Sequence, residues 1–342
     1  MRSDADSRRS NNRFFIPLRP ITKIEEAIVH EVEDEIKPKT PRQKFWNVIK
    51  TILKIAVTAA LLYWVFSKVD INKVKFRLLH ADYWWMLAAL VCVFLSMVVS
   101  SWRLLSFFKS IGLNLNPRYN LRLYFLGLFY NFLLPGGIGG DGYKMYLINK
   151  TYKTPLKRLF WAVMFDRLSG LWAIGLLTVA LIFLIPQIDI HISIPLAIFA
   201  AGSAVYYFVA YRFFKDYTKY FFAAHAKALL LQSLQLLSVV CVILGQPDFH
   251  QPGFNGKFSP YLLSFLISAL SSVIPISVGG AGFREAIFMK LSTVFSMNSS
   301  LAVFIASSFY LLCLVVALLG IYYVIRPARL RTGTTSEEKV TG

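Results

Sequence analysis

LLPGGIGGDGYKMY (Leu133–Tyr146) interrupts an apolar run with a proline, a series of glycines, an aspartate and a lysine. A second stretch, PISVGGAGFR (Pro275–Arg284), lies 140 residues after PGGIGGDGYK (Pro135–Lys144) and matches it in register. Pro135 pairs with Pro275, Gly139 and Gly140 with Gly279 and Gly280, Gly142 with Gly282, Tyr143 with Phe283, and Lys144 with Arg284. Proline stops an entering helix, glycine lets the backbone turn and pack closely, and a new helix starts beyond them. The free N–H groups and positive dipole end of that helix suit an anion, and Lys144 or Arg284 adds a full charge in its first turn.

The chain around these breaks has the composition of a membrane protein. It has 342 residues, of which 56% are hydrophobic and only 16% charged, against about 25% charged in a soluble domain. Apolar runs of roughly 20 residues recur, the length that crosses a bilayer core. The formal net charge is +19, and residues 1–44, with 10 Lys/Arg and 8 Asp/Glu, supply little of it. The excess belongs to loops between spans, where basic residues face the cytoplasm and anionic headgroups, so no nucleic-acid partner is needed. Cys92, Cys241 and Cys313 sit far apart in apolar runs and read as small hydrophobes, with no disulfide or metal spacing. His30, His80, His191, His225 and His250 fall in the tail, connectors or interfaces. Without a nucleophile elbow or phosphate loop, no catalytic set, metal or cofactor is expected.

The expected architecture is an all-α polytopic membrane protein. It has about six full spans plus two re-entrant or broken helical hairpins. Residues 1–44 read as a cytoplasmic, flexible tail, 45–325 as the transmembrane domain and 326–342 as a disordered cytoplasmic tail. Spans are expected near Phe45–Phe66, Tyr83–Ser101, Leu168–Ile185, Ile194–Tyr211, Ala228–Leu244 and Leu301–Ile325, with Trp102-Arg103 as an interface anchor. The basic loops at 144–158 and 212–227 and the C-terminal arginines should face the cytoplasm of a cell (inner) membrane, as should both termini. The 186–193 loop, with no Lys or Arg, should face outward, whereas the basic 68–77 segment is discordant because it is also expected outside. On this count residues 119–150 enter from the cytoplasm and return to it, and 259–297 do the same from outside. Three full spans separate the two copies of the motif, and an odd number of crossings inverts the second. Inverted repeats with interrupted helices near the midplane are a transporter signature.

The expected substrate-facing set is Lys144, Arg284, Arg167, Asn131, Gly139, Gly140, Gly279, Gly280 and Gly282, with Pro135 and Pro275 as helix breaks. Asn131 can donate to substrate or satisfy the broken backbone, and the second role is preferred. Only Asp141, Asp166 and Glu285 bring acidic charge into or against apolar segments after residue 44. They form a charge-pair or coupling set, with helix capping as the plainer alternative for Asp141 and Glu285. Asp166 and Arg167, adjacent on a helix at the expected entrance of a span, cannot face each other and need partners elsewhere.

These residues carry a family resemblance. NFLLPGGIGGDGYK, FDRLSG and IPISVGGAGFRE, in this order, resemble the lysylphosphatidylglycerol synthase transmembrane (flippase-like) family, which includes the membrane half of the multiple peptide resistance factor. The resemblance covers about residues 45–325 and implies a multi-spanning helical domain that translocates a lipid such as an aminoacylated phosphatidylglycerol. Lys144 stands where family members often carry arginine, which keeps the charge but loses a bidentate fork. The chain ends soon after its last expected span, so neither the soluble aminoacyl-transferase domain of full-length synthases nor synthesis of lysyl-phosphatidylglycerol is expected. The function expected is therefore translocation of an anionic, phosphate-bearing lipid, including aminoacylated or glycosylated forms. Membrane lipids are the expected partners, together with a separate lipid-modifying enzyme. The alternative is a membrane enzyme or accessory subunit in lipid-linked glycan or glycolipid assembly.

Overall fold

The computed structural model describes residues 52, 63, 75–77, 79–133, 139–185, 191–247, 258–271 and 282–326. The span expected at Phe45–Phe66, both tails and the breaks at Pro135, Pro275, Gly279 and Gly280 lie outside the described residues, apart from Arg326 and helical Ile52 and Tyr63. Among the described residues the fold is all-helical, with five helices long and apolar enough to cross a membrane.

The helices are α1 (Tyr83–Ser110), α2 (Pro117–Leu133), α3 (Gly139–Tyr152), α4 (Leu156–Ile182) and α5 (Ser193–Phe213), followed by α6 (Phe221–Leu244), α7 (Ser259–Ser271), α8 (Phe283–Val294), α9 (Ser299–Leu318) and the short α10 (Ile321–Ile325). Their ends follow local chemistry. The Asp82 carboxylate accepts the Trp84 N–H at 2.8 Å to start α1, and the Asn298 side chain accepts from Ser300 and Leu301 to start α9. Pro117 opens α2, where its missing N–H costs nothing. Gly112, at φ +82°, turns the chain after α1.

Two differences from the sequence reading matter for the site. Helix α1 does not stop at Ser101 but continues to Ser110, because Leu104, Leu105, Phe107 and Phe108 are apolar and fully packed. Arg103 is therefore inside a helix and buried rather than an interface anchor. Helix α4 starts at Leu156, well before the expected Leu168, so Asp166 lies ten residues into it rather than at its entrance. That is about 15 Å along the helix axis. His225 is likewise not in a connector. It sits one turn inside α6 and is buried, its Nδ1–H donating to the Phe221 carbonyl at 2.8 Å.

Helices α1 and α6 form the most extensive pair, and α9 is the central helix. Two-thirds of the most apolar window of α9 (67%) is buried, against 6% for α5, whose Ile198, Val205 and Phe208 face outward as a lipid-facing helix requires. The core divides in two. One apolar cluster joins α7, α8 and α9 to the first half of α1, the later parts of α4 and α6, and Phe125 of α2. The other joins α2 and α3 to the second half of α1 and the early parts of α4 and α6. Each motif copy thus leads into a helix of a different half: α3 for the first and α8 for the second.

The short helices pair in the same way in both halves. Helices α2 and α3 run antiparallel, with Tyr119 and Tyr152 rings 6.1 Å apart at one end and Asn131 meeting Gly140 at the other. Phe265 of α7 lies against Arg284 at the start of α8, while the Tyr261 hydroxyl accepts the Asn298 N–H beyond the end of α8. Helices α7 and α8 are therefore antiparallel too.

Candidate functional site

The first motif opens α3 at Gly139, in close contact with α2. A Cβ on Gly140 would run into the Gly127 carbonyl oxygen, so only glycine permits this approach. The Gly140 N–H donates to Asn131 Oδ1 at 2.8 Å. Asn131 thus satisfies a helix-start amide that would otherwise lack a partner. Gly127 gives Lys144 its path as well, because a Cβ there would lie 2.7 Å from the lysine Cδ. The Lys144 stem runs over Gly127, and its ammonium sits 4.9 Å from the centre of the Tyr124 ring. The Tyr124 hydroxyl in turn donates to Ser100 Oγ of α1 at 2.8 Å.

At the end of this path is Asp141, buried to 7% exposure. One carboxylate oxygen holds Lys144 Nζ at 2.6 Å, and the other accepts from Arg167 of α4. Asp141 and Lys144 stand three residues apart on one helix face, the spacing at which opposite charges meet. Asp166, next to Arg167, turns the other way. It receives a bidentate grip from Arg103 of α1, with Nε to Oδ1 at 2.7 Å and Nη2 to Oδ2 at 2.9 Å. Gly170, one turn on, makes room for that guanidinium, since its Cβ would meet Arg103 Nη1 at 3.0 Å. Three cations and two carboxylates from α1, α3 and α4 therefore gather near the middle of the bundle, leaving one excess positive charge. Arg167 is the most open of the five, with 30% of its side chain exposed, and only one of its nitrogens is engaged among the described residues.

The second motif is built differently. Gly282 precedes α8 at φ +79°, a conformation that favours glycine. Its N–H donates to Glu285 Oε2 at 2.8 Å, so Glu285 folds back on the start of its own helix. The other oxygen is reached by Ser307 Oγ of α9 at 3.5 Å. Arg284 has no carboxylate partner among the described residues. Its guanidinium lies 4.9 Å from the Phe309 ring centre and 5.7 Å from that of Phe265. Faces of aromatic rings attract a cation and are worth about 0.5–2 kcal/mol, but they leave its hydrogen-bond donors free.

Helix α9 connects the two motifs. Within one turn, Ser307 reaches Glu285, Phe309 faces Arg284, and the Tyr310 ring packs 5.5 Å from Phe132 of α2. Lys144, Asp141, Arg167 and Asp166 form one cluster, and Arg284 and Glu285 lie in another. The N–H groups of Gly140 and Gly282 are occupied by Asn131 and Glu285 and do not point to a ligand. Sequence reasoning missed Arg103, Tyr124, Gly127 and Ser307. A signal for Arg103 was present, since LLSFF (Leu104–Phe108) continues the apolar run beyond it.

No group of His, Cys, Asp or Glu suited to a metal occurs among the described residues. Comparison with curated proteins finds no match. A family model described as the lysylphosphatidylglycerol synthase TM region matches residues 51–246. The match takes in the first motif and FDRLSG and ends before the second motif. The chain belongs to the lysylphosphatidylglycerol synthase TM-region family.

Proposed function

We propose that the protein moves an anionic, phosphate-bearing lipid between the leaflets of the cell (inner) membrane, with both termini in the cytoplasm. The observation that carries this reading is Arg284. A charge within an apolar bundle costs roughly 2.5–3.5 kcal/mol or more. Here it is held against two aromatic rings while its neighbouring carboxylate caps a helix instead of neutralising it. A cation in that setting suits a phosphate that arrives with the substrate. The partly exposed Arg167 offers a second contact in the other half of the bundle.

In this reading α2–α3 and α7–α8 are two hairpins of an inverted repeat, and their common docking on one turn of α9 lets them act on a shared path. Alternating exposure of Arg167 and Arg284 would then hand the phosphate from one leaflet to the other. An acid–base enzyme fits the geometry less well. A catalytic carboxyl must face its substrate, whereas Asp141 and Asp166 have both oxygens held by cations and Glu285 is turned toward Gly282.

Native mass spectrometry of the purified protein tests the reading. A co-purifying phosphate-bearing lipid is expected for the wild type and a marked loss of it for Arg284→Ala. Equal retention of the lipid by both proteins would remove Arg284 from the binding site.

A further inference from the structure

The two ion-pair systems around FDRLSG differ in how easily they can open. Arg103 and Asp166 are matched one to one, both buried and joined by two hydrogen bonds. Withdrawing either would leave a bare charge in the bundle, which typically costs about 3–5 kcal/mol. Asp141 instead has two cations for one carboxylate. If Arg167 leaves, Lys144 still neutralises Asp141 at 2.6 Å, and no buried carboxylate is orphaned. Arg167 is also the partner with room to move, being the only one of the three with a substantially exposed side chain. Its backbone is meanwhile anchored by the clamp on the preceding residue, Asp166.

We infer that Asp141 is a built-in competitor for the substrate anion. It occupies Arg167 in the empty protein, and an incoming phosphate group displaces it by ion-pair exchange, after which Asp141 rests on Lys144 alone. The inference rests on the proposed phosphate-bearing substrate and adds the regulation of its site. The exchange keeps Arg167 paired in the empty protein, and it provides a return step, because Asp141 can recapture Arg167 and expel the anion. A site with one excess positive charge suits a phosphodiester carrying one negative charge. The second motif lacks such a competitor among the described residues, since Glu285 is held by Gly282 and Ser307.

The test is a titration of detergent-purified, full-length protein with short-chain phosphatidylglycerol, with inorganic phosphate as a second probe. The informative variant is Asp141→Asn/Lys144→Met. Wild type has Lys144, Arg167 and Asp141, and the double variant has Arg167 alone, so both carry a net charge of +1 at this position. The competitor goes together with the lysine that neutralises it, and the one charge left without a partner, Arg167, is the most exposed of the three. The double variant should bind the lipid about tenfold more tightly than wild type, or about 1.4 kcal/mol. Arg167→Gln should bind it at least tenfold more weakly. Double-variant binding equal to or weaker than wild type would overturn the exchange. Tighter binding in the double variant, but with inorganic phosphate preferred over the lipid, would uphold the exchange while overturning the lipid as substrate. Because both probes are soluble, the outcome is separable from whether the protein moves lipid across a bilayer.

Discussion

The two glycine motifs share a proline, three glycines, an aromatic and a cation in register, yet they lead to opposite electrostatic settings. In the first, Lys144 is buried and held by its own aspartate, which also holds Arg167. In the second, Arg284 rests on Phe265 and Phe309 with no carboxylate partner among the described residues. The difference comes from where the acid stands. Asp141 precedes Lys144 by three residues and shares its helix face, whereas Glu285 follows Arg284 by one and cannot meet it. Glu285 stands instead three residues after Gly282, where a glutamate reaches back to the amide that starts the helix. A repeat can thus keep its backbone chemistry while one half stores a charge cluster and the other presents a cation.

The largest expected effect breaks the cluster side of this comparison. Arg103→Met leaves Asp166 buried without its partner and should destabilise the protein by about 3–5 kcal/mol, seen as a lowered midpoint of thermal unfolding in detergent. Adding Asp166→Asn should recover most of that loss, because neither charge then remains. A double variant as unstable as the single one would mean that Arg103 serves something other than Asp166.

Backbone approach comes next. Gly140→Ala should cost about 1–3 kcal/mol through overpacking, because the new methyl group meets the Gly127 carbonyl. Gly202→Ala is the control, since open space surrounds Gly202 within α5. There the change should be neutral or stabilising by up to about 1 kcal/mol. Equal effects at the two positions would show that α2 and α3 do not meet as described.

The smallest effect sharpens the role of Glu285. As a cap, it should lose about 1 kcal/mol on replacement by alanine, and glutamine, which can still accept from the Gly282 amide, should stay within about 0.5 kcal/mol of wild type. If glutamine were as damaging as alanine, the negative charge itself would matter, and Glu285 would be a counter-ion rather than a cap.

Much of this arrangement is legible in the sequence, and the exceptions have physical reasons. The apolar runs foretell the long helices, and composition alone marks the chain as membrane-spanning. Adjacency on a helix already tells Asp166 and Arg167 to look in different directions, and the partners they meet are Arg103 and Asp141. Arg103 itself stayed hidden because a cation beside a tryptophan, at the end of a stretch long enough to span, reads as an interface anchor. Its meaning depends on a carboxylate 63 residues away, which no local pattern reveals. The start of α4 was misplaced for a related reason. Lys157 and Arg158 look like loop residues, yet they stand in the first turn of a helix that begins at Leu156 and carries Asp166 ten residues in. The aromatic seat of Arg284 likewise requires α7 and α9 to converge, and hydropathy does not order helices in space.

The central claim is that a phosphate-bearing lipid crosses the bilayer by engaging cations at the two motifs. The most direct measurement is the leaflet-to-leaflet movement of a fluorescent phosphodiester lipid in proteoliposomes containing wild type, Arg284→Ala or Arg167→Gln. Wild type should move the lipid well above protein-free vesicles, and each variant should lose at least about tenfold in rate, as expected for the loss of a charge-assisted contact worth roughly 1.5–3 kcal/mol. Movement no faster than in protein-free vesicles, or rates unchanged in both variants, would contradict it.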